Sequence, residues 1–405
     1  MLAVVVAGAA VLLYRKGLSR DVRGSSTVEY TTTAVLSGPA SSARTIVWPM
    51  FGYGVERLHE APPTRLRPPF RTTWTAGGRS LLEFPPAIAY GRLFLANGSG
   101  DLLAVSTRTG ARAWRYRSGR CVAASPAVGR LDGGTVYETF LGPKPCSARH
   151  ANDGEVVAVS TGTGRLRWRV RTGASETSPL LFGRLVYVGD WLGTIHCLSA
   201  ASGRTLWTFH AGGAVKGGLA EYRNAVYFGS YDGRVYALDA VTGGLLWRAS
   251  GDPRLFGGHG TFYSTPAVAY GRVYIGSTDG KVYSFGATSG KRRWSFSTGG
   301  YVYGSPAVWR QRVFIGSYGH EFYALDAATG EKLWSFRAKG PISGSATVVD
   351  GVVYFATLAG ETYGLDAVTG RLLWTFPEGR YTPVVTDGRR LYLLGYAKIY
   401  GLAPR

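Results

Sequence analysis

The sequence predicts an all-β fold, an eight-bladed β-propeller closed by an N-terminal strand in its last blade. Three observations predict it. Tryptophans recur as Trp74, Trp114, Trp168, Trp207, Trp247, Trp294, Trp334 and Trp374, with spacings of 40, 54, 39, 40, 47, 40 and 40 residues. A period near 40 is the length of one four-stranded blade. Short runs rich in β-branched and aromatic residues alternate with Gly-bearing turns, in a chain of 405 residues with 58 glycines and 13% aromatics.

Each unit reads in the same order. A segment like Ser305–Val308 ("SPAV") opens it, and a strand such as Arg272–Ser277 ("RVYIGS") follows. An Asp-Gly turn (Asp279-Gly280) leads to Lys281–Phe285, and a Ser-Gly turn (Ser289-Gly290) leads to the strand that holds Trp294. After Trp374 the chain supplies "YTPVV", "RLYLLG" and "KIYGLA" and stops without a Trp strand, whereas "RPPFRTTWTAGG" stands before the first unit with no blade of its own. The strand around Trp74 therefore completes the last blade and removes the open sheet edges. Seven blades with a stray strand is the weaker arrangement.

The repeat resembles the tryptophan-docking motif A-x-D-x-x-T-G-x-x-x-W of pyrroloquinoline-quinone (PQQ)-type propellers. Ala237, Asp239, Thr242, Gly243 and Trp247 match it, as do Ala324, Asp326, Thr329, Gly330 and Trp334. Gly364, Asp366, Thr369, Gly370 and Trp374 match with Gly for Ala, and Cys197, Ser199, Ser202, Gly203 and Trp207 occupy the same slots in a drifted copy. In such a turn Asp bonds nearby backbone N–H groups, Gly supplies positive φ and the Trp ring buries area between blades. All eight tryptophans, from Trp74 and Trp114 to Trp374, are thus expected to be structural docking residues rather than ligand contacts.

The resemblance implies one of two functional classes. Quinoprotein dehydrogenases hold PQQ and Ca²⁺ in the central funnel, with a vicinal Cys-Cys disulfide, Ca²⁺-binding Glu and Asn and a catalytic Asp. Non-catalytic propellers include the lipoprotein of the outer-membrane barrel assembly machinery. This chain has no Cys-Cys and only 25 acidic residues, most visible Asp lying in repeat turns. Glu83 and Glu176 are the carboxylates placed near the funnel, fewer than a Ca²⁺ site wants. We therefore expect no PQQ, no calcium and no catalysis, with a dehydrogenase and an envelope-polysaccharide binder as the competing readings.

A net charge of +21, from 38 Arg and 8 Lys against 25 acids, draws the surface towards anionic polymers but gives no specific nucleic-acid signature. "MLAVVVAGAAVLLY" precedes Arg15 and Lys16; as a helix it spans roughly 21 Å, short of the ~30 Å bilayer core. We read residues 1–16 as the remnant of a signal anchor, 17–66 as a linker and 67–405 as the propeller. That places a monomeric propeller on the extracytoplasmic side of the cytoplasmic membrane, binding or scaffolding envelope proteins or polymer. Cys121 and Cys146 lie in loops that emerge on one face and are expected to pair, two free thiols being the alternative. Cys197, in a small-residue slot, is expected to be a buried free thiol.

Lining up the "SPAV" segments gives one residue per blade at the funnel mouth: Glu83, Ala123, Glu176, Val215, Tyr263, Tyr303, Ser343 and Arg380, with Lys216 and Tyr381 one step further. Packing positions repeat, and this ring varies, as a site released from packing would. Glu83, Glu176, Lys216, Tyr263, Tyr303, Arg380 and Tyr381 are the candidate contact residues, with the "GHG" loop at Gly258–Gly260 beside them. A solvated rim is the plainer account. In "RLRWRVR", Arg165, Arg167, Arg169 and Arg171 share one strand face, serving either polyanion binding or protection of an outer edge.

Overall fold

A computed structural model describes residues 21–33, 46–78, 80–146, 152–253 and 260–405. Their strands form eight antiparallel sheets arranged as a propeller. Inner and outermost strands are Ala87–Ala89 and Arg112–Arg117 in blade 1, and Ala127–Gly129 and Leu166–Thr172 in blade 2. They are Leu180–Phe182 and Thr205–His210 in blade 3, Ala220–Tyr222 and Leu245–Ser250 in blade 4, and Ala267–Ala269 and Arg292–Ser297 in blade 5. Blade 6 runs from Ala307–Trp309 to Lys332–Arg337 and blade 7 from Thr347–Val349 to Leu372–Phe376. In blade 8 the order is Val385–Thr386, Leu391–Leu394, Lys398–Pro404 and then Phe70–Gly77, so the strand around Trp74 does complete the ring.

Each docking turn is built as its residues require. Asp239 Oδ1 accepts from the N–H groups of Val241 (3.0 Å) and Thr242 (2.7 Å) and from the Thr242 hydroxyl (2.9 Å). Gly243 has φ +74°, and a Cβ there would lie 2.7 Å from the Trp207 ring of the preceding blade. One carbonyl of the turn, Ala240 O, accepts from Trp207 Nε1 at 3.2 Å and from the Tyr187 hydroxyl at 2.9 Å. The same double bond to one carbonyl joins Trp168 and Tyr137 to Ala200, Trp247 and Tyr227 to Ala287, Trp294 and Tyr274 to Ala327, and Trp74 and Tyr392 to Thr107. Burying two aromatics at each of these five junctions while pairing both polar tips leaves little desolvation cost unmet.

Three tryptophans depart from this double bond. Trp114 of blade 1 docks on blade 2 through Nε1 to Thr161 O at 2.8 Å, and Trp334 of blade 6 docks on blade 7 through Nε1 to Ala367 O at 3.4 Å. Phenylalanines pack against them where the other blades carry tyrosine, Phe94 at 5.8 Å from Trp114 and Phe314 at 5.8 Å from Trp334. With no hydroxyl to satisfy, Ala367 O receives the indole alone among the described residues, and Thr161 O receives it together with Arg92 Nη1 at 2.7 Å.

The third, Trp374, lies at the junction of blades 7 and 8. Because the outer strands of blade 8 come from opposite ends of the chain, no docking turn joins them, and Trp374 meets none, packing against the hydrophobic core at this junction without one. The Tyr354 hydroxyl is buried without a hydrogen-bond partner among the described residues. Phe70 packs edge-on to Trp374 at 5.4 Å instead. Asp350 of blade 7 accepts from the N–H groups of Thr64 (2.8 Å) and Leu66 (2.7 Å), guiding the chain into its closing strand.

The expected linker over 17–66 is corrected where it is described. Residues 21–33 lie on blades 5 and 6: Ser295 N–H reaches Val22 O at 2.9 Å, Gly24 N–H reaches Thr329 O at 2.8 Å, and Glu29 pairs with Arg293. Residues 46–61 enter the axis of the propeller. Ile46–Trp48 adds a fifth strand inside blade 1. The carbonyls of Pro49, Val55, Glu56 and Leu58 accept from the N–H groups of Val128, Glu221, Val268 and Val308, on the inner strands of blades 2, 4, 5 and 6. His59 O and Ala61 N–H clasp Val348 in blade 7. Inner strands leave a row of backbone donors facing the axis, and this segment satisfies them where water would otherwise be needed. Reaching successive blades forces Tyr53, Arg57 and His59 into positive φ, at about 1 kcal/mol each.

The proposed anchor, residues 1–16, lies outside the described residues. Among those described, no helix is long and apolar enough to cross a membrane. Cys121 and Cys146 form a disulfide, and Cys197 is a buried free thiol whose pKa burial pushes up to about 12. The enlarged loop of blade 2 is also held by Arg120, which pairs with Asp153 (3.1 Å) and Glu155 (3.3 Å).

Candidate ligand pit on the propeller axis

The segment inside the channel turns the funnel into a blind pit of about 330 Å³ whose lining includes Phe51 and residues of seven blades. A ring of inter-blade bonds around the mouth explains the Ser of the "SPAV" segments. Ser178 Oγ accepts from Ser125 N–H (3.0 Å), Thr265 Oγ1 from Gly218 N–H (2.8 Å), Ser305 Oγ from Thr265 N–H (3.1 Å) and Ser345 Oγ from Ser305 N–H (2.8 Å). The blades approach closely here: a Cβ at Gly344 would sit 2.0 Å from Tyr381 O.

Glu83, Glu176, Lys216, Tyr263, Tyr303 and Tyr381 all line the pit. Two details depart from the sequence register. Gly218 takes the hydroxyl slot of blade 4, so Lys216 is that blade's ring residue and Val215 is fully buried. Arg380 is not in the lining; its Nε donates to Leu358 O (3.2 Å) and its guanidinium lies over the Tyr396 ring. Gly258 and His259 of the "GHG" loop lie outside the described residues.

One wall is a closed polar network. Glu176 accepts from the Tyr263 hydroxyl at 2.9 Å and pairs with Lys216 Nζ at 3.3 Å. The Lys216 ammonium sits 4.0 Å from the Trp191 ring centroid and 5.4 Å from that of Tyr231. Burial, and then the Glu176 charge, hold the Tyr263 phenol well above its ordinary value. From Tyr263 the wall continues as a chain of tyrosine edges: Tyr263 to Tyr303 at 5.4 Å and Tyr303 to Tyr318 at 5.1 Å. The Glu83 carboxylate has neither hydrogen bond nor ion pair among the described residues. Burial, then Glu176, push its carboxyl above the ordinary range.

Sequence reasoning missed the supports beneath. Arg57 is fully buried and donates to Leu219 O (2.8 Å), Pro179 O (3.0 Å) and Phe51 O, which offset the burial that works against its charge. His59 lies edge-on to Phe51 at 4.7 Å with both ring nitrogens unpaired among the described residues, and burial with Arg57 lowers its pKa to about 3. The apolar density of "IVWPMFGYGVERL" was the available signal. Of the Arg stripe, Arg167 is committed to Asp132 (3.1 Å) and Leu131 O (3.2 Å), while Arg165, Arg169 and Arg171 stay exposed on the outer edge of blade 2.

The family model described as outer membrane protein assembly factor BamB matches residues 152–300 and 278–402. The chain belongs to this PQQ-like propeller family. BamB of Moraxella catarrhalis superposes with a TM-score of 0.67 at 20% identity, over 83% of this chain and all of that one. The quinohemoprotein alcohol dehydrogenase of Comamonas testosteroni superposes at 0.73 with 15% identity, over 90% and 81%. Both structural likenesses speak to the fold, which non-enzymatic and enzymatic members share. A serine/threonine-protein kinase, AfsK of Streptomyces griseus, is 30% identical over 132 residues, or 31% of this chain and 15% of the kinase.

Proposed function

We propose that this chain is a non-catalytic binding or scaffolding propeller of the cell envelope, held on the extracytoplasmic side by its N-terminal segment, with the axial pit as its contact site for a protein partner. The observation that carries this reading is the occupied channel. Residues 46–61 fill the axis and leave a shallow, tyrosine-walled recess at the mouth. The family description, an assembly factor, supports a protein partner, and the Cys121–Cys146 disulfide supports an oxidising compartment. The exposed arginines are left to meet anionic polymer.

A quinoprotein centre does not fit these residues. Of the two pit carboxylates, Glu176 is already engaged by Lys216 and Tyr263, and the three cysteines are nowhere adjacent. No group of three or more His, Cys, Asp or Glu among the described residues is placed to hold a metal ion. Calcium asks for several converging oxygens.

The test is crosslinking capture from membranes with the full chain and with a Tyr303→Ala/Lys216→Ala variant, each checked by thermal unfolding. The expected result is at least a tenfold loss of the captured partner from a folded variant. Undiminished capture would place the contact on the blade edges instead.

A further inference from the structure

Among the described residues the pit holds two carboxylates and one cation. Glu176 has that cation: the Lys216 ammonium lies between the carboxylate, the Trp191 face and the Tyr231 ring. Glu83 lines the same pit with no counter-charge among the described residues, and Tyr263, Tyr303 and Tyr381 line it with Glu83. The chain thus shows which group one acid of the pit accepts beside aromatic rings, and leaves the other acid without it. The polarity is notable in a protein of net charge +21, whose surface otherwise repels cations. A recessed acid in a basic surface selects for a cation that other features of the ligand deliver.

We propose that the Glu83 side of the pit binds an alkyl ammonium group, carried either by a lysine side chain of a partner or by a free diamine. The carboxylate pairs with the ammonium, and the tyrosine rings cover its alkyl stem and offer their faces to its charge. A cavity of about 330 Å³ admits a chain of four or five methylenes and excludes a folded domain, so a partner would insert a single side chain. Burial pushes the Glu83 carboxyl up, so a bound cation favours its ionised form and binding weakens as pH falls through the range in which Glu83 takes up a proton. This inference rests on the pit being the contact site.

Isothermal titration of the full chain tests it with Nα-acetyl-lysine methylamide, 1,5-diaminopentane and, as the neutral shape control, Nα-acetyl-norleucine methylamide. The lysine probe should bind at least tenfold more tightly than the norleucine probe at pH 8. Glu83→Gln should reduce it to the norleucine level, and Glu83→Asp should retain most of the preference. Tighter binding of the lysine probe than of the diamine assigns the site to a peptide, and the reverse order to a free amine; either supports the ammonium class. Equal binding of lysine and norleucine probes, no binding of either cation, or an unchanged Glu83→Gln would overturn it. If the cations fail while Tyr303→Ala/Lys216→Ala still abolishes partner capture, the ammonium assignment falls and the pit as contact site stands. If capture ignores the pit, the contact-site reading falls separately.

Discussion

Tyr354 and Tyr227 occupy the same position in the repeat and meet different fates. The Tyr227 hydroxyl shares Ala287 O with Trp247, whereas that of Tyr354 has no partner among the described residues. A paired buried hydroxyl contributes about 1 kcal/mol, and an orphan costs about as much as it would have gained. Tyr227→Phe should therefore lower stability by about 1 kcal/mol, and Tyr354→Phe should leave it unchanged or raise it by up to about 1 kcal/mol. Blades 1 and 6 already carry phenylalanine at this position, beside Trp114 and Trp334, and dock without a hydroxyl there. Chemical unfolding midpoints decide this; equal losses at both positions would refute the account. The Trp, Asp and Gly of the motif were legible because their spacing recurs. The tyrosine was legible too, in the "VYVG", "VYFG" and "VYIG" strands, but its shared acceptor was not, since that carbonyl belongs to the next blade.

At the scale of elements, the axial segment has a pH dependence of known sign. His59 is held neutral, with its pKa lowered from 6.5 to about 3 by burial and then by Arg57. The unfolded chain binds the proton first, so the stabilisation is complete above pH 6.5 and drains away as pH falls towards 3. The loss from this one group is about 2 kcal/mol by pH 5. Comparing wild type with His59→Leu at pH 8 and pH 5 isolates it from the carboxylates: the variant should lose about 2 kcal/mol less over that interval. Parallel losses would show that His59 is solvated. A segment without the repeat's period carries no template in the sequence, which is why residues 46–61 read as linker until the inner strands were seen to need partners.

For the whole molecule, closure comes from Phe70–Gly77 pairing with Lys398–Pro404, joining residues more than 300 positions apart. A ring so closed has no free outer sheet at its seam. The Cys121–Cys146 bridge, spanning 25 residues, adds about 3 kcal/mol in the chain-entropy model and persists only where thiols are not kept reduced. If the propeller stands outside the cytoplasmic membrane, acid-trapped protein from cells should carry this disulfide, and protease added to spheroplasts should digest the propeller from membranes. A reduced pair together with full protection from protease would sink the extracytoplasmic placement.

The sequence by itself determined the fold class, the blade number, the seam and most of the pit's lining, because all four follow from a period near 40 residues and from the positions where that period relaxes. It also placed Cys121 and Cys146 on one face, since loop polarity alternates strictly along each blade. Only the tertiary structure decided what fills the axis and how the pit's charges divide. Arg380 turned to Leu358 and Tyr396, Lys216 took the Glu176 carboxylate, and Glu83 was left without a counter-charge among the described residues. The repeat register brings residues to the mouth, but their pairing depends on distances between side chains of different blades, and these exist only once the ring has closed.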